Sequence, residues 1–151
     1  MQSSIVCGVD GSADSEAALA VAAELAEGLG ARLILAHVTE HVPAYTAVGP
    51  MASMLRPAPM AVIDGLNETG TRLVAEMAEA AGLEDAEQRV VSGIAAERLA
   101  DLADEEDADM IVVGSRGRGA FKAAFLGSVS RDLIGVARCP VLVVPKGVRG
   151  S

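Results

Sequence analysis

Positive charge is scarce in this chain. Twelve Lys and Arg residues stand against 21 Asp and Glu among 151, a net charge of −9. A surface that neutralises nucleic-acid phosphates needs Lys and Arg clustered across one face, so a nucleic-acid partner is not expected. Cysteine is scarce as well: Cys7 and Cys139 lie in the apolar runs IVCGVD and ARCPVLVV, with no CxxC spacing and no adjacent His to complete a metal set. Both read as buried free thiols. No apolar stretch reaches the ~18 residues of a membrane span without a charge or a glycine. The opening MQSSIVCGVDGS lacks the basic flank and long apolar run of a secretory signal. These absences imply a protein of the reducing cytoplasm with no membrane contact. Two phosphate-binding motifs are also missing. No GxxxxGK followed by Ser or Thr occurs, and the first strand leads into GVDGSADS rather than into GxGxxG.

What is present is enough apolar material for one full core, since 51% of the residues are hydrophobic, and a single domain over residues 1–151 is expected. Ile5 to Asp10 reads as a short buried strand. Ser12 or Asp14 is placed to cap the Ala-rich helix from Ser15 to Leu29, which Gly30 ends. Arg32 to Val38 is a second strand, followed by an irregular Pro-rich stretch from Thr39 to Pro59. Helical spacing of Ile63, Leu66, Leu73, Val74, Met77 and Ala81 predicts a helix from Met60 to Ala81, closed by Gly82. Glu87 to Ser92 is a charged strand suited to a sheet edge, and a third helix runs from Ala95 to about Glu106. Met110 to Val113, a helix from Ser128 to about Val136, and Pro140 to Val144 complete the alternation. Near-continuous apolar strands alternating with helices predict a doubly wound five-stranded parallel sheet, an α/β fold with helices on both faces.

Ligands of such sheets bind beyond the carboxyl ends of the strands, where the winding reverses. Two loops therefore matter: Asp10-Gly11-Ser12 after the first strand, and residues 114–130 after the fourth. The second holds Gly114, Gly117, Gly119 and Gly127, then Ser128 and Ser130 at the start of a helix. Glycines let a backbone approach a ligand closely, and a helix N-terminus presents unpaired N–H groups to an anion. Arg116, Arg118 and Lys122 locally reverse the sign of an acidic chain, which favours phosphate.

With Gly114-x2-Gly117-x9-Gly127-Ser128 set between a buried strand and the last helix, the chain resembles the universal stress protein family. The likeness runs from IVCGVDGS through VVGSRGRG and LGSVS to CPVLVV. It implies the sheet order 3-2-1-4-5 of the adenine nucleotide α-hydrolase-like fold, and binding of ATP with Mg2+ carried on the phosphates rather than by protein ligands. By the same resemblance Gly127, Ser128, Val129 and Ser130 hold phosphates, while Gly114, Ser115, Arg116, Gly117, Arg118, Gly119 and Ala120 wrap the ribose and triphosphate. Asp10 faces the ribose and base, Val38 meets adenine through its backbone, Gly8 lies under the nucleotide, and Gly93 lies close to the base. The resemblance further implies a homodimer paired through the fifth strand, Val141, Leu142, Val143 and Val144. Ala95 departs from the family pattern, where many members carry Pro.

The remaining features read as structural. His37 and His41 lie in an extended segment and form no helical metal face. Met51, Met54 and Met60 cover apolar surface, Phe121 and Phe125 form a packing pair, and 101–109 is a solvated helix end. The expected function is an ATP-binding stress-response regulator, with at most slow hydrolysis and a downstream protein partner that the sequence does not specify. The alternatives are an ATP-dependent adenylating enzyme of the related group, whose phosphate loop GVDGSADS would match only loosely, and a nucleotide-free dimeric interaction module.

Overall fold

In the computed structural model, which describes residues 2–40, 60–117 and 126–148, nine elements alternate along the chain: β1 (Ser4–Gly8), α1 (Ala13–Leu29), β2 (Arg32–Glu40), α2 (Met60–Ala80), β3 (Glu87–Gly93), α3 (Ala95–Glu105), β4 (Met110–Gly114), α4 (Ser128–Val136) and β5 (Val141–Val144). The strands form one parallel sheet in the order β3-β2-β1-β4-β5. Side chains alternate across each strand, and both faces are apolar. Ile5, Cys7 and Val9 join Leu35, Leu19, Ala22 and Val74 in one core, while Val6 joins Ile34, Ile111, Leu99 and Leu133 in another. Each fully buried Leu or Ile contributes about 1.5–3 kcal/mol, so two such layers specify the doubly wound sheet. Ala18, Ala22 and Ala26 form much of the buried side of α1, and their small side chains let that helix lie close to the strands.

The boundaries differ from the sequence reading where local hydrogen bonds intervene. β1 stops at Gly8 instead of Asp10. The Val9 N–H still donates to Ala36 O at 2.8 Å, but Asp10 Oδ1 then accepts the Ser12 N–H at 2.9 Å. Gly11 takes φ 80°, a left-handed turn that leads the chain out of the sheet. β2 extends past Val38 to Glu40 because β3 pairs beside it as far as Glu40↔Gly93. Of the two candidate caps, Ser12 is the one used: its Oγ accepts the Ser15 N–H at 3.2 Å, and Asp14 falls in the first turn of α1. Thr39 and Glu40 thus belong to β2, and the rest of the Pro-rich stretch, with His41, Met51 and Met54, lies outside the described residues. So do Phe121, Lys122 and Phe125.

β3 is an edge strand, as its charges implied. At the amino ends of the strands Arg32 bridges Glu87 (3.0 Å) and Glu106 (2.6 Å), and Arg89 pairs with both acids. Hydrogen bonding to Arg32 holds the Glu106 carboxyl below its usual range. These pairs are solvated and belong to the end of the sheet remote from the strand carboxyl ends.

The two thiols differ. Cys7 is fully buried, and desolvation pushes its pKa up to about 12. Cys139 is only half-buried, a correction to the expectation of two buried thiols, because it sits in the turn between α4 and β5. Cys7 is expected to resist alkylation in the folded protein at pH 8 while Cys139 reacts, with labelling read by mass spectrometry. Below the ordinary thiol pKa of 9.0 both folded and unfolded states keep the proton. From there to about pH 12 only the unfolded state ionises, so stability falls as pH rises through that window.

Candidate functional site

The chain winds one way from β1 to β2 and β3 and the other way from β1 to β4 and β5, so the loops after β1 and β4 stand above adjacent strands at the switch point. Between them opens a cleft of about 680 Å³, within the ~300–1,000 Å³ range of small-molecule sites. Its walls carry Gly8 at the end of β1, Asp10 and Ser12 after it, Val38 from β2, Gly114 at the end of β4, Arg116 and Gly117 after it, and Gly127 to Arg131 at the start of α4. The two loops touch. A Cβ on Gly117 would stand 2.6 Å from Asp10 Oδ2, so a side chain there would push that carboxylate aside. Asp10 is held in turn by Ser12, whose Oγ donates to Oδ1 at 2.5 Å.

Beside Gly117, Gly127 is the N-cap of α4, with no side chain to cap the helix. Its carbonyl accepts the first helical bond from the Arg131 N–H at 3.1 Å. The N–H groups of Ser128, Val129 and Ser130, residues of the cleft wall, therefore precede the helical ladder and carry the positive end of the helix dipole. With Arg116 and Arg131 this is the cationic end of the cleft wall among the described residues. Val38 offers a different kind of group. Ala36 O faces β1 and takes the last bond from it, through Val9. Two residues on, the N–H and C=O of Val38 face the same side beyond the end of β1. Gly8 lies between Leu99 and Val113, where an added Cβ would be 3.1 Å from each, and so keeps the floor of the cleft flat.

The structure therefore assembles ten of the residues singled out in the sequence: Gly8, Asp10, Val38, Gly114, Arg116, Gly117, Gly127, Ser128, Val129 and Ser130. Arg118, Gly119 and Ala120 lie outside the described residues. Ser115 and Gly93 are not part of the wall. Ser115 turns inward, its N–H donating to Val144 O at 2.8 Å, its carbonyl accepting the Gly127 N–H at 2.7 Å, and its hydroxyl donating to Asp14 at 2.5 Å. Gly93 takes φ 138° and faces the Arg98 side chain. Ser130 reaches the wall, but its hydroxyl donates to Ser115 O at 3.0 Å, so its backbone N–H is the group it presents.

Several wall residues were not read from the sequence. Glu40 enters because β2 is longer than expected; Arg131 follows the glycine motif by one turn; Leu66, Thr69, Gly70 and Leu73 close the α2 side. His37 also lines the cleft, with Nδ1 2.8 Å from Val9 O, a structural contact as expected. No group of three or more His, Cys, Asp or Glu that could hold a metal occurs among the described residues, and no described helix is long and apolar enough to cross a membrane.

Comparison with known proteins bears directly on this arrangement. Residues 1–145 match the model of the universal stress protein family. The chain belongs to that family. A universal stress protein of Thermus aquaticus, named for the QAH/OAS sulfhydrylase 3'region, is 34% identical over 144 residues, covering 95% of this chain and 99% of the relative. Among solved structures, a universal stress protein family member from Burkholderia pseudomallei superposes with a TM-score of 0.67 at 29% identity, covering 95% of this chain and 96% of that one. A universal stress protein in complex with cAMP superposes with a TM-score of 0.60 at 32% identity, covering 94% and 95%. The universal stress protein sheet order 3-2-1-4-5 is the one found here.

Proposed function

We propose that this universal stress protein holds ATP across the cleft and acts as a nucleotide-dependent regulatory module, with at most slow hydrolysis. The observation that carries the reading is the meeting of the Asp10 and Gly117 loops, opposite an uncapped α4 N-terminus. The cleft offers backbone N–H groups and arginines suited to phosphates, and the Asp10 carboxylate and the Val38 main chain suited to a ribose and a base. A solved relative in complex with cAMP supports an adenine nucleotide as the ligand class. Gly117 and Gly127 suit a phosphate chain because both line the cleft without a side chain, which lets their backbone approach a ligand closely. Mg2+ fits as an ion bridging phosphate oxygens and keeping mostly water, which needs no protein ligand set. Hydrolysis would need a positioned base and a neutralised transition state. Asp10, which this reading assigns to the nucleoside and which is engaged by Ser12, is poorly suited to that role.

The same proposal includes a homodimer through the outer edge of β5 and a cytoplasmic setting. Leu142 on β5 is an exposed apolar residue, and a second copy paired along that strand would help cover it.

Asp10→Ala tests the orientation. Losing a hydrogen bond to a charged group costs about 1.5–3 kcal/mol, so ATP affinity should fall by roughly ten- to a hundredfold while affinity for inorganic tripolyphosphate stays level. Titration calorimetry with both ligands reads this directly. Equal losses for the two would place the carboxylate at the phosphate end.

A further inference from the structure

Asp14 is buried, with 5% of its surface exposed, and among the described residues no arginine, lysine or histidine forms an ion pair with it. A buried carboxylate is costly unless hydrogen bonds and nearby dipoles replace water. Here the first turn of α1 supplies the dipole, and the loop after β4 supplies the bonds. Asp14 Oδ2 accepts the Ser115 hydroxyl at 2.5 Å and the Arg116 N–H at 3.1 Å. The backbone of the same turn presses on Gly114, where a Cβ would stand 2.7 Å from Asp14 C and 2.8 Å from Ser15 N. Ser115 passes the constraint on, since its carbonyl accepts both the Gly127 N–H at 2.7 Å and the Ser130 hydroxyl at 3.0 Å.

From this geometry we infer that Asp14 is the positioning residue of the phosphate end of the cleft, acting through Ser115 and Arg116 without touching the ligand. The inference rests on the nucleotide reading above. Its physical basis is a double penalty: lifting the loop would strand the carboxylate without its donors and would also release the start of α4. The Arg116 backbone and the open N–H groups of Ser128 and Val129 are therefore held in place before a ligand arrives, and the ordering cost is not charged against binding. Short charge-assisted bonds suit this role better than neutral ones, being roughly twice as strong.

The test uses the whole chain with ATP and adenosine as probes, and amide hydrogen exchange of the free protein. Asp14→Ala should lower ATP affinity by about tenfold or more and leave adenosine affinity nearly unchanged. Asp14→Asn keeps one acceptor oxygen and should recover part of the loss. Ser115→Ala, which keeps the carboxylate and its bond from Arg116, is the second variant should Asp14→Ala fold poorly, and it should show the same ligand dependence to a smaller degree. In the absence of any ligand the Arg116 and Gly127 amides should exchange faster in Asp14→Ala. A merely structural role would weaken ATP and adenosine alike and leave Asp14→Asn no better than Asp14→Ala; that result, or unchanged exchange at Arg116 and Gly127, overturns the inference. If the wild-type protein takes neither ligand, the nucleotide reading falls, and the exchange measurement alone then decides whether Asp14 holds the loop.

Discussion

Exchanging Gly127 for Glu is expected to remove ATP binding at concentrations that saturate the wild-type protein, with the fold retained. A Cβ at this position would lie 3.2 Å from Arg116 Cα, 3.4 Å from Ser115 O and 3.5 Å from Gly117 N, all backbone atoms of the opposing loop. The glycine has φ −69°, an ordinary value for any residue, so the substitution strains the space and not the backbone conformation. Its carboxylate would stand at the α4 N-terminus, where an acidic group stabilises a helix and competes with a phosphate for the same N–H groups. Gly117→Glu should give the same loss by another contact, because its Cβ would displace Asp10 Oδ2 from 2.6 Å away and bring a second negative charge beside it. Thermal unfolding with and without ATP and Mg2+ reads both variants. A ligand at a hundred times its Kd stabilises by about 2.7 kcal/mol, and both variants should lose that increment. Full ATP stabilisation in both would remove the loop from the site.

Val143→Pro is expected to abolish the closed dimer while leaving the sheet intact. In a parallel strand the N–H and C=O of one residue point to the same side. Pro140 O and Val144 O accept from Ile111 and Ser115 of the β4 side, so Leu142 and Val144 also face β4, whereas Val141 and Val143 present their polar groups outward. Proline at Val143 therefore removes an outward donor, which an edge strand tolerates, and leaves the ladder to β4 unbroken. Leu142→Pro is the control, because it removes a donor to β4 and should destabilise the fold itself. A bare apolar edge is an aggregation hazard, and the two prolines bracketing β5, Pro140 and Pro145, limit pairing to a short closed contact between two copies. Light scattering should report a dimer for the wild-type chain and monomer or aggregate for Val143→Pro. A wild-type chain that stays monomeric at tens of micromolar, a rough working range for dimers of nM to μM affinity, would sink the proposal.

The sequence by itself determined the sheet, its helices and the pair of loops that form the cleft, because each depends on local pattern. The short apolar runs Ile5 to Val9 and Met110 to Val113, alternating with helical segments, point to strands covered on both faces. The spacing of Gly114, Gly117 and Gly127 before Ser128 marks a backbone that must approach something closely, whatever lies opposite. The tertiary structure decided which way each neighbour of those glycines turns. Ser115 sits inside the motif yet is spent on Asp14, 101 residues away along the chain. Gly93 ends β3 against Arg98, and the length of β2, settled by its partner β3, brings Glu40 to the cleft wall. No residue spacing encodes these outcomes. An acid in the first turn of a helix looks like an ordinary helix-dipole partner until β4 is packed against that helix, and only then does the cost of burying its charge make it a clamp.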